Sequence, residues 1–265
     1  MLGLGAGTTA YHNGIYGPYN TTTNTNALHF DGSGDYVDIA DDDTLSFTGA
    51  GSDDDTPFSI AFWLKRDAVF ASNDGIVEKG DENLGKLEYR IFFISGTVYI
   101  DISDGGITNS SYRRASWVAN STSWQHMVLT YNGDVGNDEG IAFQLYINGV
   151  NAGYPTATGG SDEEGMTNYN GALRLGALRN TIYQLGGEMC QYIMWSKVLT
   201  QTEVTYLYAG GAAHRNPLLS SQDYSSNNEV VVWLPLDTDL NDYSVNSNNG
   251  TAFGDAALSA DTVPF

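Results

Sequence analysis

Five Asn-Gly dipeptides, beginning at Asn13, Asn132, Asn148, Asn170 and Asn249, constrain this chain more than any other feature. Both residues of such a pair accept positive φ, the requirement of a tight two-residue hairpin turn. Between them run short segments that alternate apolar and polar residues. Phe58, Ile60, Phe62 and Leu64 share one face of Phe58–Lys65, the period-two pattern of a half-buried strand. The segments Ala27–Phe30, Asp35–Ile39, Leu87–Ile94, Thr97–Ile102, Trp124–Tyr131, Ile141–Ile147, Ala172–Leu175, Glu188–Trp195 and Val230–Leu236 complete about ten predicted strands. Closely spaced turns favour an antiparallel meander, because parallel pairing needs long crossovers.

One helix is predicted, near 201–209. Thr200-Gln201-Thr202-Glu203 is a capping box, Val204, Leu207 and Tyr208 form an apolar stripe, and Gly210-Gly211 stops it. Residues 1–26 carry no apolar periodicity and read as an N-terminal arm, followed by one domain over 27–265.

Charge narrows the partners. In 265 residues, 32 Asp+Glu stand against 11 Lys+Arg, a net −21. Phosphate binding needs a basic surface, so nucleic acid is not expected, nor docking on anionic lipid. No apolar run approaches the roughly 18 residues of a membrane span, and Met1–Thr9 has neither the basic nor the apolar region of a leader. The single cysteine, Cys190, forms no internal disulfide and reads as buried filler. The runs Asp41–Asp43, Asp53–Asp55 and Asp162–Glu164 read as solvated loop.

Catalytic patterns are missing. The histidines His12, His29, His126 and His214 show no metal-ligand spacing, and His126 reads as a satisfied strand histidine. No phosphate-cradling glycine motif precedes a helix.

Several stretches carry a resemblance. Ala27–Val37 (ALHFDGSGDYV), Phe58–Lys65 (FSIAFWLK), Trp124–Tyr131 (WQHMVLTY), Leu145–Val150 (LYINGV), and Gly187–Trp195 leading through Lys197-Val198-Leu199-Thr200 into the helix occur in family order. The chain resembles the laminin-G-like jelly rolls of the concanavalin A-like lectin/glucanase superfamily. The resemblance implies an all-β, antiparallel β-sandwich with one short helix. It also implies glycan recognition, in some members a structural calcium, and in retaining glucanases a Glu-x-Asp-x-x-Glu strand with its two carboxylates about 5–5.5 Å apart. That triplet is absent, so no enzymatic activity is expected, and a glycoside hydrolase ranks third among the readings.

Two departures matter. Where the family's strand before the helix begins Gly-x-Ile-Asp-Glu, this chain has Cys190-Gln191. Asp31, Asp35 and Glu188 remain as calcium oxygen ligands, against the plainer reading that the aspartates bond backbone N–H groups of a glycine-rich turn. The segment Val230–Asp237, followed by Asp242-Tyr243-Ser244 and Asn249-Gly250-Thr251, looks like the family's opening strand placed last. Residues 225–265 are then a displaced closing segment, permuted in place or swapped into a second copy, in preference to the stub of another domain. A homo-oligomer is the expected assembly.

Aromatic residues beside polar groups mark the candidate contacts with a glycan or partner: Tyr112, Arg113, Arg114 and Trp117, then Tyr154, then Tyr183, all taken to lie in loops. The alternative reading keeps Trp117 and Tyr183 as loop anchors. The leading functional expectation is a non-enzymatic, lectin-like virion surface protein, a phage capsid decoration or tail-associated component. Its partners would be capsid proteins, cell-surface glycans or both. A secreted or cell-surface glycan-binding adhesion module is the alternative.

Overall fold

The computed structural model describes residues 24–49, 55–69, 73–105, 112–134, 142–159, 165–179, 183–211, 215–260 and Val263. The N-terminal arm up to residue 23, His12, His214, Asp53, Asp54 and Asp162–Glu164 lie outside them. The strands, in chain order, are β1 (Ala27–Asp31), β2 (Tyr36–Ile39), β3 (Phe58–Arg66), β4 (Gly75–Asp81), β5 (Lys86–Ile94), β6 (Thr97–Gly105), β7 (Tyr112–Val118) and β8 (Gln125–Tyr131). There follow β9 (Phe143–Ile147), β10 (Val150–Asn151), β11 (Thr156–Gly159), β12 (Leu173–Leu175), β13 (Gly186–Trp195), β14 (Val230–Leu234), β15 (Gly250–Phe253) and β16 (Ala257–Ser259).

Two antiparallel eight-stranded sheets stack. Sheet A runs β10-β9-β8-β3-β13-β1-β16, with β14 also on β13; sheet B runs β11-β7-β6-β5-β4-β12-β2-β15. The expected all-β sandwich is what forms. Its core lies between the sheets and includes Phe30, Val37, Phe58, Phe62, Tyr89, Ile91, Phe93, Ile100, Leu129, Leu175, Met189 and Leu234. The one-face alternation of β3 continues across β8, where Ile60 faces Leu129 and Phe62 faces Met127.

Of the four described Asn-Gly pairs, only Asn148-Gly149 makes a hairpin turn with positive φ at both residues, 52° and 78°. At Asn132 and Asn170 one residue of the pair takes positive φ, and at Asn249 neither does. The expected helix, α1, spans Gln201–Tyr208 with its capping box formed: Thr200 Oγ1 accepts the Glu203 N–H and Glu203 Oε2 accepts the Thr200 N–H. It ends at Tyr208, one residue earlier than predicted, with Ala209 itself left-handed (φ 52°).

Strand β13 organises sheet A. β3 lies along one edge, and the other edge is shared end to end: β1 pairs Gly186–Met189 and β14 pairs Tyr192–Trp195. Gln191 sits at the junction, left-handed (φ 52°), inside an irregularity of the β13–β3 register. Its amide bridges both neighbours: Nε2 donates to Asn24 Oδ1 (2.7 Å) and Oε1 accepts Trp233 Nε1–H (2.9 Å). The neutral side chain at this departure from the family pattern therefore ties the C-terminal strand to the start of β1. Asp237 completes the tie by accepting the Thr25 and Asn26 N–H groups, both at 2.8 Å. Beyond it β15 pairs β2 and β16 pairs β1.

Candidate functional site

The outer faces of the two sheets differ in kind. That of sheet A is apolar and covered: Ala61, Val128, Ile193, Trp195 and Trp233 pack with Val204 and Leu207 of α1 and with Tyr224. That of sheet B carries a row of polar side chains, one per strand. In register the row reads Arg114, Asp101, Arg90, Glu78, Arg174, Asp38, Thr251, from β7 to β15. Six consecutive members alternate in charge.

Alternation follows from the pleat. In β5, Tyr89, Ile91 and Phe93 face the core, so Arg90 and Phe92 face outward. Directly opposed side chains on one face sit about 4.5–5.5 Å apart at Cβ, so opposite charges there attract. Arg114 grips Asp101 with two nitrogens (Nε–Oδ1 2.6 Å, Nη2–Oδ2 2.8 Å) and Arg90 Nε takes the same carboxylate at 2.7 Å. Arg174 holds Asp38 in the same two-pronged way at 2.8 and 2.9 Å. Arg179 joins from the next loop, donating to Glu78 Oε1 at 3.2 Å and to the Gly80 carbonyl. Burial pushes the Glu78 carboxyl above its ordinary value, with Arg179 opposing the rise.

Aromatic rings flank this floor on both sides. Phe92 stacks on Tyr99 (centroids 5.2 Å apart) and meets the Tyr183 ring edge-on at 5.4 Å. The Arg114 guanidinium lies over Tyr112 (5.1 Å) and Tyr99 (5.4 Å). On the far side Tyr36 stacks on Phe253 at 4.7 Å, with Arg174 over Tyr36 at 3.6 Å; Phe253 is 41% exposed. Polar hydrogen-bonding groups between aromatic walls are the ordinary composition of a small-molecule or sugar site.

Of the residues singled out in the sequence, Tyr112, Arg114 and Tyr183 come together on this face. Arg113 and Trp117 do not. The segment taken as a loop is strand β7, and its alternation turns those two inward. Arg113 is buried against Asp55 Oδ2 (2.8 Å) and the Tyr131 hydroxyl (3.0 Å). Trp117 is buried and donates Nε1–H to the Gly153 carbonyl at 3.0 Å. Neither can touch a ligand on the face. Tyr154 is 87% exposed on the β10–β11 connection, beside that anchored carbonyl. The sequence reading missed Arg90, Asp101, Glu78, Arg174 and Asp38. The available signal was a single charge set among apolar neighbours, as in Tyr89-Arg90-Ile91, Ile100-Asp101-Ile102, Leu173-Arg174-Leu175 and Val37-Asp38-Ile39.

The carboxylates proposed for calcium separate as well. Glu188 is buried in β13 and pairs with Lys65 Nζ at 2.8 Å. Asp31 and Asp35 instead meet Asp255, with ligand atoms within 4.8 Å of one another. Asp35 is already engaged: Oδ2 accepts the Asp31 N–H (2.9 Å) and Oδ1 the Asp255 N–H (2.8 Å). Asp31 Oδ1 accepts the Ser33 N–H at 2.6 Å. Burial raises the Asp35 carboxyl, but these N–H groups outweigh it and hold it below its ordinary value. Calcium takes six to eight oxygens. Three carboxylates of which the buried one serves two backbone donors fit a turn clasp better than a structural calcium site.

Comparison with solved structures places the fold. A Bacteroides ovatus protein described as carbohydrate binding superposes with a TM-score of 0.56 at 16% identity, over 89% of this chain and 60% of that one. The chain thus spans about three fifths of that protein's length. A heptameric SAP-like pentraxin from Limulus polyphemus matches at TM-score 0.44 and 14% identity, over 78% of this chain and 91% of that one. The receptor-binding domain of botulinum neurotoxin mosaic serotype C/D matches at 0.49 and 18%, over 72% and 43%. Among curated protein sequences, none matches. A family model for laminin-G-like domains matches residues 31–205, and the chain belongs to that family, within the concanavalin A-like lectin/glucanase superfamily.

Proposed function

We propose that the chain is a non-catalytic, lectin-like glycan-binding module whose recognition face is the outer face of sheet B. The observation that carries this is the charge-alternating row Arg114-Asp101-Arg90-Glu78-Arg174-Asp38 between two aromatic walls, in which the buried Asp101, Arg90 and Glu78 fix the partly exposed Arg114, Arg174 and Asp38 that a ligand can reach. Hydroxyl-rich ligands are met by fixed donors and acceptors, and sugar rings by aromatic faces. Four of the chain's seven arginines lie here against the carboxylates of Asp101, Glu78 and Asp38, so this row is close to neutral while the acidic surplus lies elsewhere. A neutral or acidic glycan can approach this face without the repulsion that −21 imposes elsewhere.

The same row argues for binding over hydrolysis. Asp101 and Glu78 flank Arg90, two strand spacings or about 10 Å apart. An inverting pair needs a water between its carboxylates, and here an arginine stands between them. Glycan-array binding by the full chain is the test. Tyr112→Ala and Arg114→Ala should each weaken binding at least about tenfold, the loss of one stacking or charge-assisted contact. Unchanged binding in both, or polysaccharide cleavage by the wild type, rejects the proposal.

The setting we propose is the surface of a virion, with an extracellular adhesion module as the other reading. Support comes from the sequence: the acidic loops, the displaced closing segment and the missing catalytic triplet. Copurification with particles in a fixed copy number tests it. The homo-oligomer is part of that proposal, with the closing segment packed into its own copy as β14, β15 and β16 are here, and a monomer in solution rejects the oligomer.

A further inference from the structure

Lys79 does not belong to the face described above. It lies in β4 on the row that points into the sandwich, in register with Tyr89 and Leu173. Its side chain is 0% exposed. A buried ammonium needs compensation, and Nζ has three oxygens: Asp41 Oδ1 at 2.7 Å, Glu88 Oε1 at 3.0 Å and the Gly171 carbonyl at 2.7 Å. Glu88 is likewise 0% exposed, and Asp41 is 28% exposed. Oε1 of Glu88 also accepts the Tyr169 N–H (3.1 Å), while Oε2 is buried without a well-formed hydrogen bond. The acidic run Asp41–Asp43 is thereby divided. Asp42 caps a short 3₁₀ turn and Asp43 accepts from Asn168, whereas Asp41 alone turns to the lysine.

We propose that Lys79 and Asp41 condense into an intramolecular isopeptide bond, with Glu88 as the proton carrier. The three groups have the required roles and proximity. The amine and the carboxyl are held at contact distance, so the reaction is unimolecular. The carboxyl that must move protons touches the same nitrogen. The step balances without any co-reactant. Nζ gives a proton to Glu88 and its lone pair attacks Cγ of Asp41. The Cγ–Oδ1 bond breaks, and that oxygen leaves as water with two of the three ammonium protons, one of them returned by Glu88. Glu88 ends as it began. The product replaces the Lys79–Asp41 ion pair by a neutral amide, which relieves the cost of burying the ammonium. Burial also pushes the Glu88 carboxyl above its ordinary value, with Lys79 opposing, which suits a group that must hold a proton in transit. The bond would join β4 to the end of β2 across β12, a covalent tie within sheet B.

Intact-mass spectrometry of the folded full chain is the test. Wild type should be lighter than its sequence by the mass of one water. Proteolysis should yield a branched peptide joining Lys79 to Asp41. Lys79→Met and Asp41→Ala should show the full mass. Glu88→Gln, shown folded by circular dichroism, should also stay at full mass with both partners present. A folded wild type at full mass overturns the proposal. So does a water lost within a linear peptide, the mark of an aspartyl imide, and a folded Glu88→Gln that is cross-linked removes Glu88 from the reaction.

Discussion

The two outer faces of this sandwich solve one problem in opposite ways. Every outward position of a strand must meet water or a neighbour. Sheet A gives its outward positions apolar side chains and covers them with α1 and the segment around Tyr224, so Trp195 and Trp233 are fully buried there. Sheet B gives six neighbouring strands one outward charge each, so that each strand neutralises the next and the central Asp101, Arg90 and Glu78 are buried as paired charges. Covering makes a face stable and closed. Self-neutralisation makes a face that is ordered yet still polar, the condition for recognising a hydrated ligand. The faces should therefore respond differently to truncation, and the largest response should come from sheet A. Trp233→Ala removes an indole packed against Tyr243 and bonded to Gln191. A loss of about 3–5 kcal/mol in denaturant unfolding is expected. A loss below about 1 kcal/mol would mean that the covered face is not a true second core.

His126 sharpens the contrast, because it is a titratable group on the covered side. It is buried between Trp63 (5.1 Å) and Tyr208 (6.0 Å), and its Nδ1 has no partner. Burial lowers its pKa from 6.5 to about 3. The folded chain thus refuses a proton that the unfolded chain accepts. Stability from this group is complete above pH 6.5 and drains away as pH falls toward 3. Between pH 6.5 and about pH 5 the loss should be about 2 kcal/mol, and it should vanish in His126→Leu. Equal slopes in both proteins would place the imidazole in contact with water.

Arg114→Ala should cost less stability, about 1 kcal/mol, because Asp101 keeps Arg90. The same change should reduce glycan binding most, so the two readouts separate the faces. A loss above about 3 kcal/mol would show that the row serves stability first.

These faces were unequally legible in the sequence. Sheet A's strands other than β10 and β16 were found because segments such as Phe58–Lys65, Trp124–Tyr131 and Val230–Leu236 carry apolar residues at the spacing that burial requires. Helix α1 was found because a capping box is a local device. Strand β4, with Glu78, Lys79 and Gly80, was missed, and β7, with Arg113 and Arg114, was taken for a loop. In both the polar residues are satisfied by partners on other strands, and cross-strand register is a tertiary fact that no single segment contains. Arg113 shows this most plainly. Beside Arg114 it reads as half of a surface pair, yet its partners are Asp55 and Tyr131, 58 and 18 residues away in sequence. Asp255 was not linked to Asp31 and Asp35 for the same reason, since 220 residues separate it from Asp35.

The smallest expected effect lies at that last cluster. The Asp255 carboxyl is raised above 3.8 by sharing a hydrogen bond with Asp35 and by its charge. Its folded form therefore holds a proton that the unfolded chain has lost. The group's contribution falls as pH rises from 3.8 through the raised value, and at neutral pH it is a weak repulsion. Asp255→Asn should raise the Tm slightly at pH 7 and flatten that part of the pH profile. Chelator should move the wild-type Tm by less than about 1 °C, since Asp35 is already bonded to two backbone donors and a clasp needs no ion. A drop of several degrees on chelation, abolished in Asp255→Asn, would instead make the three aspartates a calcium site. It would also set the β1–β2 turn apart from both faces, as a region held by an ion in place of packing or paired charge.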